Sequence, residues 1–319
     1  MAPSTILAAL PETTRFLFVT GKGGVGKTTV TAAIASAYAA RGKRVLVAMC
    51  NTKERLSSLL GTAPIGDDVV AVGQGIWAVN MHPEKALEEY GHLILKVRAL
   101  TRVVFDNRYT KAFFRAAPGL YEWAMLGKAW YHTTEVDAEG RTRFDLVLLD
   151  APATGHGLDM LRVPKVILDV VPPGVLRRDA ELAWHLFRDP TRSGVVVVTL
   201  PEEMPATETV ELITTIRGEL ELPVPLLVVN GVVARLFSER EHAALLAERS
   251  LLEPSAPALA ATAGQRALVA GARRAARERV QIESLARLER ELDLPQVRLP
   301  FLFDGASTPE GTAALAAQL

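Results

Sequence analysis

The sequence predicts an α/β fold: a mostly parallel sheet with helices on both faces and a helical subdomain inserted into it. Three observations carry this. Short apolar runs of strand length recur along the chain. Most are followed by a turn and a helical pattern, the alternation that builds a parallel sheet buried on both sides. A glycine-rich octapeptide joins the first run to the first helical stretch. With 319 residues, 49% of them hydrophobic, the chain has enough apolar material for one large α/β domain over residues 1–319.

The elements follow in order. The opening residues, MAPSTILAALPETTR, read as a tail or short helix and not as a signal peptide, because no basic segment precedes their short apolar stretch. FLFVT at 16–20 is the first strand and alanine-rich 29–40 the first helix. Residues 45–49 form the second strand. DLVLL at 145–149, VVVVTL at 195–200 and 226–229 form the third to fifth, and 296–299 a short sixth. A helix is expected over about 207–220. Between the second and third strands, residues 83–135 are helical in character, with Pro118-Gly119 as a break, and form the inserted subdomain. From 239 to 292, Ala, Arg, Glu and Leu dominate. This segment reads as surface helices, broken from Glu253-Pro254 to Pro257, and the charges from Arg273 to Arg279 read as a solvated face.

Composition narrows the function. Lysine plus arginine equals aspartate plus glutamate at 36 each, so no global field draws the chain to nucleic acid. Cys50 is the only cysteine, which removes any internal disulfide or CxxC metal site and fits a reducing, cytoplasmic setting. No apolar run approaches the ~18 residues of a membrane span.

GKGGVGKT, from Gly21 to Thr28, fits G-x-x-x-x-G-K-[ST] and lies between a strand and a helix, the context this phosphate-binding loop requires. Its glycines let successive N–H groups turn toward phosphate oxygens, and the following helix adds the positive end of its dipole. The candidate ATP-binding residues are therefore Gly21, Lys22, Gly23, Gly24, Val25, Gly26, Lys27, Thr28 and Thr29. Lys27 would reach the β- and γ-phosphates. The Thr28 hydroxyl would bind Mg²⁺, with Asp150, at the end of FDLVLLD, as its carboxylate counterpart.

The extra lysine, Lys22, makes this loop resemble the deviant Walker A class, which includes MinD, ParA, the nitrogenase iron protein and the ArsA family. In that class the lysine reaches the partner subunit's nucleotide, which implies a dimer and a catalytic role for Lys22 as well as Lys27. Within the class the chain resembles the ArsA family over nearly its whole length. DAPATGHGLDMLRVP (150–164) is similar to its switch II and APGLYEW (117–123) to its PG-x-x-E segment. TLPEEMPATET (199–209) and VVN (228–230) match two further strand ends. The resemblance implies that Asn230 reads the adenine amino group and that Pro300 and Phe301 form the adenine loop. The last two read equally as strand-end packing. Gly155 and His156 would lie in the loop that senses the γ-phosphate, and His156 reads equally as a packed histidine.

The departures matter as much. The family's switch I places an aspartate where this chain has Asn51. An amide orients water but does not accept its proton, and Glu54 lies one turn away as a substitute. Two readings stay open. One is a dimeric ATP-hydrolysing switch, homo- or heterodimeric, self-sufficient or with weak or partner-dependent turnover, that couples nucleotide state to a client through switch II and the helical subdomain. The other is a non-hydrolysing subunit that pairs with an active paralogue. Cys50 alone cannot build a cysteine metalloid site, and neither a CxxC clasp nor a methionine-rich insertion is present. The resemblance implies a client, a protein or a membrane partner, which the sequence leaves unidentified. A MinD- or ParA-like positioning ATPase is a further alternative, although the last twelve residues, without lysine or arginine, make a poor membrane anchor.

Overall fold

The computed structural model describes residues 9–50, 53–95, 119–152, 154–253, 255, 262–305 and 307–319. Asn51, Thr52, the first eight residues, residues 96–118 of the expected insertion and most of the 254–261 break lie outside the described residues.

Eight strands form one sheet: β1 (Phe16–Thr20), β2 (Val45–Cys50), β3 (Val70–Gly73), β4 (Ile76–Met81), β5 (Leu146–Asp150), β6 (Ser193–Thr199), β7 (Leu226–Val232) and β8 (Gln296–Pro300). Their order is β3-β4-β2-β5-β1-β6-β7-β8, and every pairing is parallel except the β3–β4 hairpin. The six expected strands are present within one or two residues at most boundaries. Asp150 belongs to β5 itself, and β7 runs three residues further than expected. The hairpin is an addition. β3 is four residues long and mostly exposed, so its apolar pattern is faint, and Gly75 at φ 74 supplies the turn.

Alternation along the central strands splits the core into two. Phe16 and Phe18 face one side, with Trp123, Met160 and Trp184. Leu17 and Val19 face the other, with Ile34 and Leu56. That is why these strands read as unbroken apolar runs: both faces are covered. One cover is α1 (Lys27–Ala39) with α2 (Leu56–Leu60) and, at the chain's end, α10 (Pro309–Ala316). The other comprises α3 (Pro83–Leu95), α4 (Leu120–Tyr131), α5 (Thr154–Val170), α6 (Val175–Arg188), α7 (Glu203–Gly218) and the 29-residue α9 (Ala263–Glu291). A short α8 (Glu239–Ala247) lies against α9.

α3 and α4 pack on one another, and Trp123, Leu126 and Ala129 of α4 are fully buried. Residues 123–127 and 129 of this helix are buried. No helix among the described residues is long and apolar enough to cross a membrane.

β1 lies between β5 and β6, with the chain winding outward in both directions. The carboxyl ends of these strands therefore open a crevice, where open α/β sheets bind ligands. The 21–28 loop follows β1, Asp150 ends β5 and Asn230 lies near the end of β7, all at that edge.

Candidate nucleotide site

The loop after β1 has the shape its glycines dictate. Gly21, Gly24 and Gly26 take φ values of 150, 84 and 90. At two of them a side chain is also barred by space: a Cβ on Gly21 would fall on the Val198 carbonyl oxygen, and one on Gly26 on the Asn230 amide nitrogen. Lys27 opens α1 and folds back over the loop, donating to the carbonyls of Gly21 (3.1 Å) and Lys22 (3.0 Å). Burial lowers its pKa, and the Asp150 carboxylate opposes that shift. The ammonium is thus held over the concave face of the loop.

Thr28 and Asp150 meet as expected. The Thr28 hydroxyl donates to Asp150 Oδ2 at 2.7 Å, and Thr31 approaches Oδ1 at 3.5 Å. Asp150 is 1% exposed, and burial raises its pKa to about 6 against the pull of these hydroxyls and Lys27. A buried carboxylate beside a hydroxyl is a hard-oxygen donor pair short of positive charge, which fits a small divalent cation.

Asn230, in β7, donates through Nδ2 to the Val25 carbonyl at 2.9 Å. This bond leaves its oxygen as an acceptor beside a cavity of about 410 Å³. Gly24, Val25, Gly26 and Thr29 line that cavity from one side, and Pro300 and Phe301 from another. The structure therefore brings Gly24–Gly26 and Thr29 of the sequence-selected loop, Asn230 and the 300–301 segment into one pocket, with Lys27, Thr28 and Asp150 outside its lining.

Other residues fall elsewhere. Glu54 spends both carboxylate oxygens on Ser57, taking its N–H at 2.7 Å and its hydroxyl at 2.6 Å, and so braces the first turn of α2. Cys50 is buried, and its surroundings push the thiol well above its usual range, so it packs as a small apolar residue. Gly155 and His156 lie exposed in the first turn of α5, and His156 makes no hydrogen bond among the described residues. Lys22 is paired within the chain to Glu208 of α7, each side chain 34% exposed.

Comparison with known proteins agrees with the geometry. Residues 14–172 match the ArsA ATPase family model, described as anion-transporting ATPase. The ATPase BagA of Mycobacterium tuberculosis is 28% identical over 304 residues, covering 91% of this chain and 88% of that protein. A putative arsenical pump-driving ATPase of Halobacterium salinarum is 28% identical over 72% of this chain and 37% of its own length. The arsenical pump-driving ATPase of Escherichia coli is 26% identical over 69% and 40%.

The chain belongs to the ArsA family. It is an ATP-binding ATPase, and its matched segment runs from just before β1 to residue 172, past Asp150 and α5. The sequence reading of this ArsA chain missed three residues near the site. Glu202 and Arg277 line the cavity, and Glu208 holds Lys22. Glu202 and Glu208 lay inside the quoted 199–209 segment with no signal of their own. Arg277 lay in the run taken for a solvated face, and that reading fails in part. Glu278 in the same run is 1% exposed, bonded to Arg274 and to the Leu236 N–H. The helix packs on two sides there, which a one-dimensional charge pattern does not reveal.

Proposed function

We propose that this chain is a dimeric, ATP-driven switch, in which magnesium–ATP occupies the Gly21–Thr29 loop and the adjoining cavity. The observation that carries the reading is that Lys27, Thr28 and Asp150 meet at the loop, whose Gly24–Gly26 and Thr29 line, with Asn230, the adjoining cavity. Lys27 already points its charge along the loop, so it meets the β- and γ-phosphates without reorganisation. Thr28 and Asp150 hold Mg²⁺, which when bound neutralises phosphate charge. Asn230, its amide fixed by Val25, accepts from the exocyclic amine of adenine and disfavours the carbonyl of guanine at the same position. Lys22 leaves Glu208 and supplies positive charge to the nucleotide of a second subunit. α5 follows Asp150 directly and packs on α4, so a change at the γ-phosphate passes to the helices that meet a client.

The test is phosphate release from purified protein with magnesium–ATP over a range of protein concentrations, with Lys27→Ala as the blank and ATP binding followed in the same samples. Turnover per subunit that rises with concentration and vanishes in the variant supports the proposal. Turnover independent of concentration defeats the dimer, and tight binding without release means that Asn51 leaves hydrolysis to a partner.

A further inference from the structure

Arg277 stands apart from its neighbours on α9. Arg274 is engaged by Glu278 and the Ala234 carbonyl, and Arg279 faces Glu283. Arg277 has no carboxylate partner among the described residues. Its guanidinium lies 5.2 Å over the ring of Phe301, and it lines the nucleotide cavity together with Val280 and Gln281, the positions three and four residues on. Those three therefore present one helical face to the pocket.

We infer that Arg277 and Phe301 form the stacking wall for the nucleotide base, making Arg277 a residue that selects base-bearing triphosphates; this rests on the adenine-pocket reading above.

The wall is built to stay in place. Gln281 spends both ends of its amide on Val233, accepting from its N–H and donating to its carbonyl, each at 2.9 Å. Glu278 takes the Leu236 N–H at 3.0 Å. These bonds fasten α9 to the segment that follows Asn230, so Arg277 and Asn230 keep a fixed relation. Phe301 is 39% exposed with Phe303 edge-on to it at 5.0 Å, an open aromatic surface beside the cavity. A guanidinium is flat, weakly hydrated and attracted to π-faces, and it offers five donors to a base whose ring nitrogens only accept. The same cavity reaches Gly24–Gly26, so a ligand whose phosphates lie on the loop places its base at this wall.

The experiment compares magnesium–ATP with magnesium tripolyphosphate, which carries the phosphates but no base, by calorimetric titration of the full chain. Arg277→Ala is expected to weaken ATP about two- to five-fold, the loss of one partly solvated stacking cation, and to leave tripolyphosphate unchanged. Arg277→Lys should recover only part of that loss. Arg277 is exposed, and thermal unfolding of each variant checks that the fold persists. Equal losses for both ligands would make Arg277 a general electrostatic contributor and overturn the inference. Loss for neither, while Asn230→Ala weakens ATP alone, would remove Arg277 but keep the pocket. If Asn230→Ala also fails to separate the two ligands, the adenine-pocket reading falls and takes the inference with it.

Discussion

At Gly21 and Gly26 the backbone is left-handed and a neighbouring polar group occupies the place of a Cβ, so two constraints coincide at one atom. Gly26→Ala is expected to push the Asn230 amide off the Val25 carbonyl, and Gly21→Ala to move the loop away from β6. Each should destabilise the chain by about 1–3 kcal/mol, the usual cost of strained backbone, in urea unfolding. Each should also weaken ATP by more than it weakens the fold. Gly42→Ala, also at positive φ but with open space around its Cβ, is the control. It should lose stability and keep ATP affinity. Equal effects on ATP at all three glycines would show that the close approaches to Val198 and Asn230 do not shape the site.

Among the elements, α9 and α4 each carry a buried polar device. Glu278 holds Arg274 and Leu236 from within α9, so Glu278→Ala leaves the half-buried Arg274 guanidinium without its carboxylate, with only the Ala234 carbonyl, and the Leu236 N–H without its acceptor. The expected loss is about 3 kcal/mol in urea unfolding, against about 1 for Glu278→Gln, which keeps an acceptor. At the end of α4, His132 is buried with Nδ1 2.7 Å from Glu135, and Phe144 meets its ring edge-on. Burial lowers its pKa below the ordinary 6.5, the hydrogen bond to Glu135 acting in the opposite sense. The unfolded chain therefore takes up a proton that the native ring refuses until lower pH. This contribution to stability is complete above the unfolded pKa and is lost as pH falls through it toward the folded one. The denaturation midpoint should drop as pH falls through the ordinary histidine value of 6.5, and His132→Gln should flatten that slope. The contiguous elements were legible in the sequence: strands buried on both faces leave uninterrupted apolar runs, and the phosphate loop is a single octapeptide. The β3–β4 hairpin was not, because an exposed four-residue strand has little pattern. Nor were Glu278, Arg277 and Glu208, whose roles come from what a helix packs against many residues away.

The proposed dimer raises the question of how Lys22 would serve a second subunit when it is paired with Glu208 within its own. That pair is about one-third exposed on each side, and such pairs contribute only about 0–1 kcal/mol. It parks the lysine in a single subunit without opposing its transfer to a nucleotide bearing several negative charges. On this reading each catalytic centre draws on two chains: Lys27, Thr28 and Asp150 from one, Lys22 from the other. Two inactive variants should then complement. Lys22→Ala keeps an intact loop but has no lysine to lend; Lys27→Ala has a disabled loop but lends Lys22. A mixed dimer has one complete centre, at the loop of the Lys22→Ala chain. In an equal mixture half the dimers are mixed if pairing is random, so phosphate release should return to about a quarter of the unmodified protein's rate per subunit. Cross-linking the mixture under magnesium–ATP establishes that mixed dimers have formed. Mixed dimers without recovered turnover would place the action of Lys22 within its own subunit, and its pairing with Glu208 would then be part of the working site.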